Sequence, residues 1–136
     1  MTDATDSFPH RATGEFDVRV TPIEAGPLAI GRMRLEKTFH GELEGTSVGE
    51  MLSAGNPASG SAGYVALEVV DATLAGRRGT FALQHSATMH AGGREMRIVV
   101  SPGSGTDGLA GLAGRLEIVI EAGRHSYVFR YALPED

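Results

Sequence analysis

The chain has 136 residues, 41% of them apolar and 6% aromatic, with 19 glycines, no cysteine and a formal net charge of −5. That length supports one domain around one core; the lack of cysteine excludes disulfides, a thiol nucleophile and thiolate metal sites; and the interspersed charges leave no positive stripe for a phosphate backbone, so no nucleic-acid partner is expected. No apolar run reaches the length of a membrane span, and the amino terminus MTDATDSFPHR is acidic and polar where a signal peptide is basic and then apolar, so no membrane partner is expected and the cytoplasm is the default location.

In chain order, Met1 to Ala12 read as a flexible amino-terminal arm ahead of a single domain over residues 13–133. From Gly14 to Thr21, Phe16, Val18 and Val20 share one face of a strand. Pro22 to Gly31 forms a linker, its two prolines and two glycines interrupting regular pairing. Arg32 to His40 alternates Met33, Leu35, Lys37 and Phe39 against Arg34, Glu36, Thr38 and His40. Glu42 to Ser53 reads as its partner strand, with a short helical turn at Glu50 to Leu52 as the alternative. Ala54 to Gly63, AGNPASGSAG, reads as an exposed hairpin loop.

Tyr64 to Val70, Thr80 to Ala87 and Arg94 to Val100 are further strands. Ser101 to Glu121 then packs glycines 103, 105, 108, 111 and 114 ahead of Leu116, Ile118 and Ile120, an elaborate turn feeding a strand. No Lys-Ser or Lys-Thr follows these glycines, and β-branched residues stand where a phosphate loop requires a helix, so the glycines serve backbone geometry. After a tight turn at Ala122-Gly123, His125 to Leu133 carries Tyr127, Phe129 and Tyr131 on one face, a stripe that fits either a core or a subunit contact.

Apolar positions nowhere hold helical spacing for the length of a typical helix. Eight short-looped strands leave a sandwich or a barrel, and closure is preferred because it removes the edges a long open sheet would expose. The expected fold is therefore all-β: an antiparallel, eight-stranded, closed or nearly closed barrel. Its interior is either filled by side chains or partly hollow.

An ordered set of motifs narrows this further: Lys37-Thr38-Phe39-x-Gly41 with Glu44-Gly45; Leu67-Glu68, then Leu74-x-Gly76-Arg77-x-Gly79-x-Phe81; Leu83-Gln84-His85; and Val100-x-Pro102-Gly103-Ser104-Gly105-Thr106 with Leu109-x-Gly111-Leu112-x-Gly114. Over nearly all of the chain from Thr13 to Tyr131, this set resembles an uncharacterised bacterial family, domain of unknown function 3224, whose members look like the allene oxide cyclase barrel. The resemblance implies a self-associating barrel that needs no metal or organic cofactor. The plant cyclases steer a reactive epoxide to a cyclopentenone by a carboxylate, ordered water and cavity shape, but no position of this chain matches their catalytic residues one by one.

Among the polar residues, Glu68 interrupts the run Val65-Ala66-Leu67-Glu68-Val69-Val70. Inside the barrel it would need a partner or a raised pKa; otherwise it is an outward residue on the face of Ala66. Gln84 and His85, being adjacent in a strand, point to opposite faces. Either Glu68 and Gln84 face inward, with Thr80, Ser86 and Arg97 around them, or the face of Phe81 is inward and His85 is the interior polar group. Arg97 fits cross-strand charge pairing or the anionic end of a ligand. His40, His85, His90 and His125 form no recognised metal pattern, and Ser86 and Ser104 lack a nucleophile elbow. The functional expectation is a barrel that binds a small apolar or amphipathic molecule through Glu68, Thr80, Gln84, His85 or Arg97. One alternative is a cofactor-independent isomerase or cyclase in which Glu68 orients or accepts a proton, Gln84 positions an oxygen and Arg97 recognises an anionic end. The other is a structural, homo-oligomeric domain.

Overall fold

The structure, a computed structural model, describes residues 8–24 and 26–134. Eight strands follow one another: β1 (His10–Pro22), β2 (Gly31–Gly41), β3 (Leu43–Asn56), β4 (Ser61–Leu74), β5 (Arg77–His90), β6 (Gly93–Val100), β7 (Ala113–Glu121) and β8 (Arg124–Ala132). Each pairs antiparallel with its neighbour in sequence, and β8 returns to β1 with Tyr131 opposite His10 and Ser126 opposite Glu15, closing the barrel. The period-two alternation decides which side chains enter: Ala66, Glu68, Val70, Ala72 and Leu74 on β4, and Phe81, Leu83 and His85 on β5, are all buried.

Two local expectations need correction, and one alternative falls away. The strand β1 starts within the expected arm, because His10, Arg11 and Ala12 ladder with Tyr131, Arg130 and Phe129 and Ala12 packs into the core; residues 1–7 of that arm lie outside the described residues. The loop expected over residues 54–63 shrinks to one 3-10 turn, Pro57–Ser59, with Gly60 behind it, since the β3–β4 ladder continues to Asn56 opposite Ser61. Its Asn56 Oδ1 accepts the Ala58 N–H at 3.0 Å, capping the turn. At Glu50 to Leu52 the strand is continuous, with Met51 opposite both Met33 and Ala66.

The two halves of the barrel are filled differently. In one half Phe39, Phe81, Tyr127 and Phe129 are almost completely buried. Phe81 stacks on Phe129 at 5.9 Å between centroids, and Phe39 meets Tyr127 edge-on at 5.8 Å. The C-terminal aromatic stripe is thus core, and its reading as a subunit contact is set aside because Tyr127, Phe129 and Tyr131 all point inward. The Tyr127 hydroxyl accepts the Leu43 N–H at 2.9 Å, tying β8 across to the β2–β3 connection.

The glycine-rich segment closes this half. Leu109 and Leu112 are buried in the core cluster, while Ser104 Oγ accepts the Ala82 N–H at 3.0 Å and the Thr106 N–H reaches the Thr80 carbonyl at 2.8 Å. The chain folds back so tightly that a Cβ at Gly105 would collide with the Leu109 carbonyl, which is the backbone duty expected of these glycines.

At the other end the inner positions include Val18, Leu35, Met51, Tyr64 and Met96, with Tyr64 the one large aromatic among them. The ladder between β6 and β7 is a single pair, Val99 with Arg115, next to the glycine-rich segment, and towards the open end no pairing among the described residues joins the two strands. Towards this end Met96 of β6 and Ile118 and Ile120 of β7 line a cavity of about 390 Å³.

Candidate functional site

The floor of that cavity is a polar cluster carried by four consecutive strands. Lys37 on β2, Ser47 on β3, Glu68 on β4 and His85 on β5 all project inward and are 7%, 3%, 0% and 5% exposed. The register explains the meeting, since Lys37 lies opposite Ser47, and Glu68 is flanked by Gly49 of β3 and Leu83 of β5. A side chain at Gly49 would meet the Leu67 carbonyl and the Glu68 Cβ, at 2.7 Å from the latter, so its absence gives Glu68 room.

Glu68 is fully engaged. Its Oε2 accepts from Lys37 Nζ at 2.8 Å and lies 2.6 Å from His85 Nε2, and its Oε1 accepts from Ser47 Oγ at 2.9 Å. Burial disfavours the ionised form, but the His85 hydrogen bond and the charge of Lys37 outweigh it and hold the carboxyl at about 2, below its ordinary 4.5. The Lys37 ammonium also sits over the rings of Phe16 and Phe39, 5.2 and 5.9 Å from their centroids. Two aromatic faces and a carboxylate thus replace the water around it.

A carboxylate can only accept, so His85 Nε2 carries the proton in this contact. His85 Nδ1 has no hydrogen bond among the described residues, yet no fully buried side-chain nitrogen or oxygen there lacks a partner. That nitrogen is therefore open to the space His85 lines. Tyr64, in the cavity wall with its ring 6.4 Å from that of His85, keeps its phenol proton: burial and the Glu68 charge both push its pKa up. Arg94 and His125 stand at the rim.

Of the residues picked out in the sequence, the structure brings together Glu68 and His85 and separates the other three. Gln84, Thr80 and Arg97 lie on the outer face, because Gln84 and Thr80 alternate with the buried His85, Leu83 and Phe81, and Arg97 alternates with the buried Ile98. Gln84 instead accepts from Ser101 Oγ at 2.9 Å, and the Thr80 hydroxyl pairs with that of Thr106 at 2.7 Å, both fastening the closing segment. The arrangement with Glu68 and Gln84 facing inward together is thus replaced by one with Glu68 and His85. The residues missed were Lys37, Ser47 and Tyr64. Lys37 carried a signal, a cation on the otherwise apolar face of Met33, Leu35 and Phe39; Ser47 carried none.

Residues 12–131 match a family described as protein of unknown function (DUF3224). The chain belongs to the DUF3224 family. A crystal structure of a protein with unknown function from the DUF3224 family of Shewanella oneidensis MR-1 is similar at 46% identity and a TM-score of 0.85, covering 93% of this chain and 98% of that one. No curated protein matches. The DUF3224 assignment accords with the closed barrel and leaves function to the geometry. Among the described residues, no three of His, Asp and Glu are grouped to hold a metal ion, and no helix is long and apolar enough to cross a membrane.

Proposed function

We propose that this barrel binds a small amphipathic molecule in its open half, with the polar end on Lys37 and His85 and the apolar part against Val18, Leu35, Met51, Met96 and Ile118. The observation that carries the reading is the cavity of about 390 Å³ with apolar walls and those two polar groups at its floor, within the size range of small-molecule sites. Stability alone is a poor reason to keep the cluster, since apolar replacement of a buried ion pair is often neutral or stabilising by about 1–4 kcal/mol. The methionines give walls that adapt to a ligand's shape. Titration with the fluorescent amphiphile 1-anilinonaphthalene-8-sulfonate tests this. Saturation at one molecule per chain, lost in Met51→Trp, which fills the cavity, supports it; no saturable binding, or binding indifferent to Met51→Trp, removes it.

A second reading, a cofactor-independent isomerase in keeping with the cyclase-like expectation, is favoured by the open His85 Nδ1 above a buried carboxylate. Glu68 is too acidic to accept a proton near neutrality, so its part is to orient His85, which becomes the base. His85 Nδ1 would take a proton from a carbon beside a carbonyl, the electron pair would move onto the carbonyl oxygen, hydrogen-bonded by Lys37, and the proton would return to a different carbon as the double bond shifts. Conversion of cyclohex-3-enone to cyclohex-2-enone, followed by ultraviolet absorbance, measures it. Turnover lost in His85→Gln with dye binding retained supports catalysis; a wild-type rate equal to the buffer rate leaves a binder of this probe class without that activity.

A further inference from the structure

The methionines of the chain are gathered in one place. Of the five, Met1 lies outside the described residues, and the other four all line a second cavity, of about 330 Å³, at the mouth of the barrel: Met33 of β2, Met51 of β3, Met89 of β5 and Met96 of β6. Strand parity and register put them there. Met33 and Met96 stand two positions before the buried Leu35 and Ile98, and Met33 lies directly opposite Met51. All four are half-buried, so a small solute entering at the mouth can reach them, and none of the fully buried core residues described is a methionine. The two cavities share Met51, Tyr64, Arg94 and Met96, which makes the methionine-lined space the continuation of the ligand cavity towards the strand ends.

We infer that these four thioethers form one site of reversible oxidation by hydrogen peroxide, and that their sulfoxides close the cavity to its ligand; the closure, unlike the oxidation, rests on the binding reading above. Three observations carry this. First, the chain has no cysteine and no tryptophan, so peroxide meets no competing thiolate, and the sulfur it can oxidise in the described barrel is all at this mouth. In each step a sulfur lone pair attacks one peroxide oxygen: the S–O bond forms, the O–O bond breaks, the sulfur is oxidised by two electrons and the peroxide leaves as water. Second, Met51 and Met96 are walls of the ligand cavity itself, and a sulfoxide replaces a flexible apolar wall with a polar one. Third, the mouth holds donors for the new oxygens. The Tyr64 hydroxyl keeps its proton and the Arg94 guanidinium lines the same cavity, and neither makes a hydrogen bond or ion pair among the described residues. A sulfoxide oxygen accepts from either, so the oxidised mouth is satisfied while the aromatic core of the other half is untouched. That separates a switch from simple damage.

The test treats the full chain with hydrogen peroxide, folded and in urea, and follows each methionine by peptide mass mapping, with Met1 scored apart. The folded chain is expected to gain one oxygen at each of Met33, Met51, Met89 and Met96 while its far-ultraviolet circular dichroism is kept. Its affinity for 1-anilinonaphthalene-8-sulfonate is expected to fall roughly tenfold or more from its own untreated value. The pair of methionine sulfoxide reductases, one for each sulfoxide epimer, with dithiothreitol as reductant should remove the oxygens and restore the affinity. A chain carrying Met33→Leu, Met51→Leu, Met89→Leu and Met96→Leu, a volume-conserving change, should respond to peroxide by less than about twofold relative to its own untreated affinity; the reductase arm decides the same question in the wild type without any substitution. Oxidation that needs urea, sulfoxides that melt the barrel, sulfoxides that resist the reductases, or dye binding unchanged by them each overturn the inference. An untreated wild type with no saturable dye binding removes the ligand reading instead, and the mass and reductase results then decide the modification site by themselves.

Discussion

Replacing Glu68 by glutamine removes one charge from a site where three side chains were arranged around it. The cost can be worked out in two ways. Glu68 titrates at about 2 instead of 4.5, and at about 1.4 kcal/mol for each pH unit this makes the ionised form worth about 3 kcal/mol to the folded state. Leaving one partner of a buried ion pair alone costs about 3–5 kcal/mol in other proteins, and Lys37 would be that partner, only 7% exposed. The contact of Lys37 with Phe16 and Phe39 offsets a fraction of this, so a loss of about 3 kcal/mol is expected for Glu68→Gln at pH 7. The pH dependence gives the sharper signature. Because the folded pKa is depressed, the stabilisation is complete above about pH 4.5 and is lost as pH falls towards 2. At pH 3 about 2 of the 3 kcal/mol should be gone. Urea denaturation of wild type and Glu68→Gln at pH 7 and pH 3 measures the difference, which cancels the other carboxylates. A gap under about 0.5 kcal/mol at pH 7, or one that does not narrow at pH 3, would refute the reasoning.

Other substitutions probe other links. Lys37→Met combined with Glu68→Gln removes both charges together and should recover about half or more of the stability lost by Glu68→Gln alone, measured in the same urea series. Ser47→Ala takes one hydrogen bond from a buried carboxylate and should cost about 1.5–3 kcal/mol; an unchanged midpoint would mean that Glu68 Oε1 has another donor. Tyr127→Phe strips the Leu43 N–H of its acceptor and should cost about 1–3 kcal/mol by thermal or urea unfolding. Gly49→Ala drives a methyl against the Leu67 carbonyl and the Glu68 Cβ, so it should lower both stability and dye affinity, whereas Gly92→Ala, which meets nothing nearby but has φ +82°, should lower stability only.

The fold was legible because a barrel writes its inner face into a period of two. The alternation grouped Tyr127, Phe129 and Tyr131, and Met33, Leu35, Lys37 and Phe39, each on one face of its strand, and the structure turns both faces inward. What could not be read was the phase of strands whose two faces are similarly apolar. Tyr64 to Val70 has valines on one face and Ala66, Glu68 and Val70 on the other, so hydrophobicity alone leaves Glu68 on either side. The partners decide it: Lys37 and Ser47 lie 31 and 21 residues away and become neighbours only through the ladders. Conversely, the outward Val65, Leu67 and Val69 made this strand look buried on both faces, and that excess is now an exposed patch. The extent of β1 was hidden because pairing to β8, rather than the pattern of residues 8–12, orders it.

A crystal structure with 1-anilinonaphthalene-8-sulfonate bound tests the central claim most directly. The account predicts the aromatic rings between Met51, Met96 and Ile118 in the open half of the barrel, with the sulfonate at hydrogen-bonding distance, about 3 Å, from Lys37 Nζ. Dye seated on the outer face of β3 and β4 beside a barrel whose open half is collapsed and empty would contradict it.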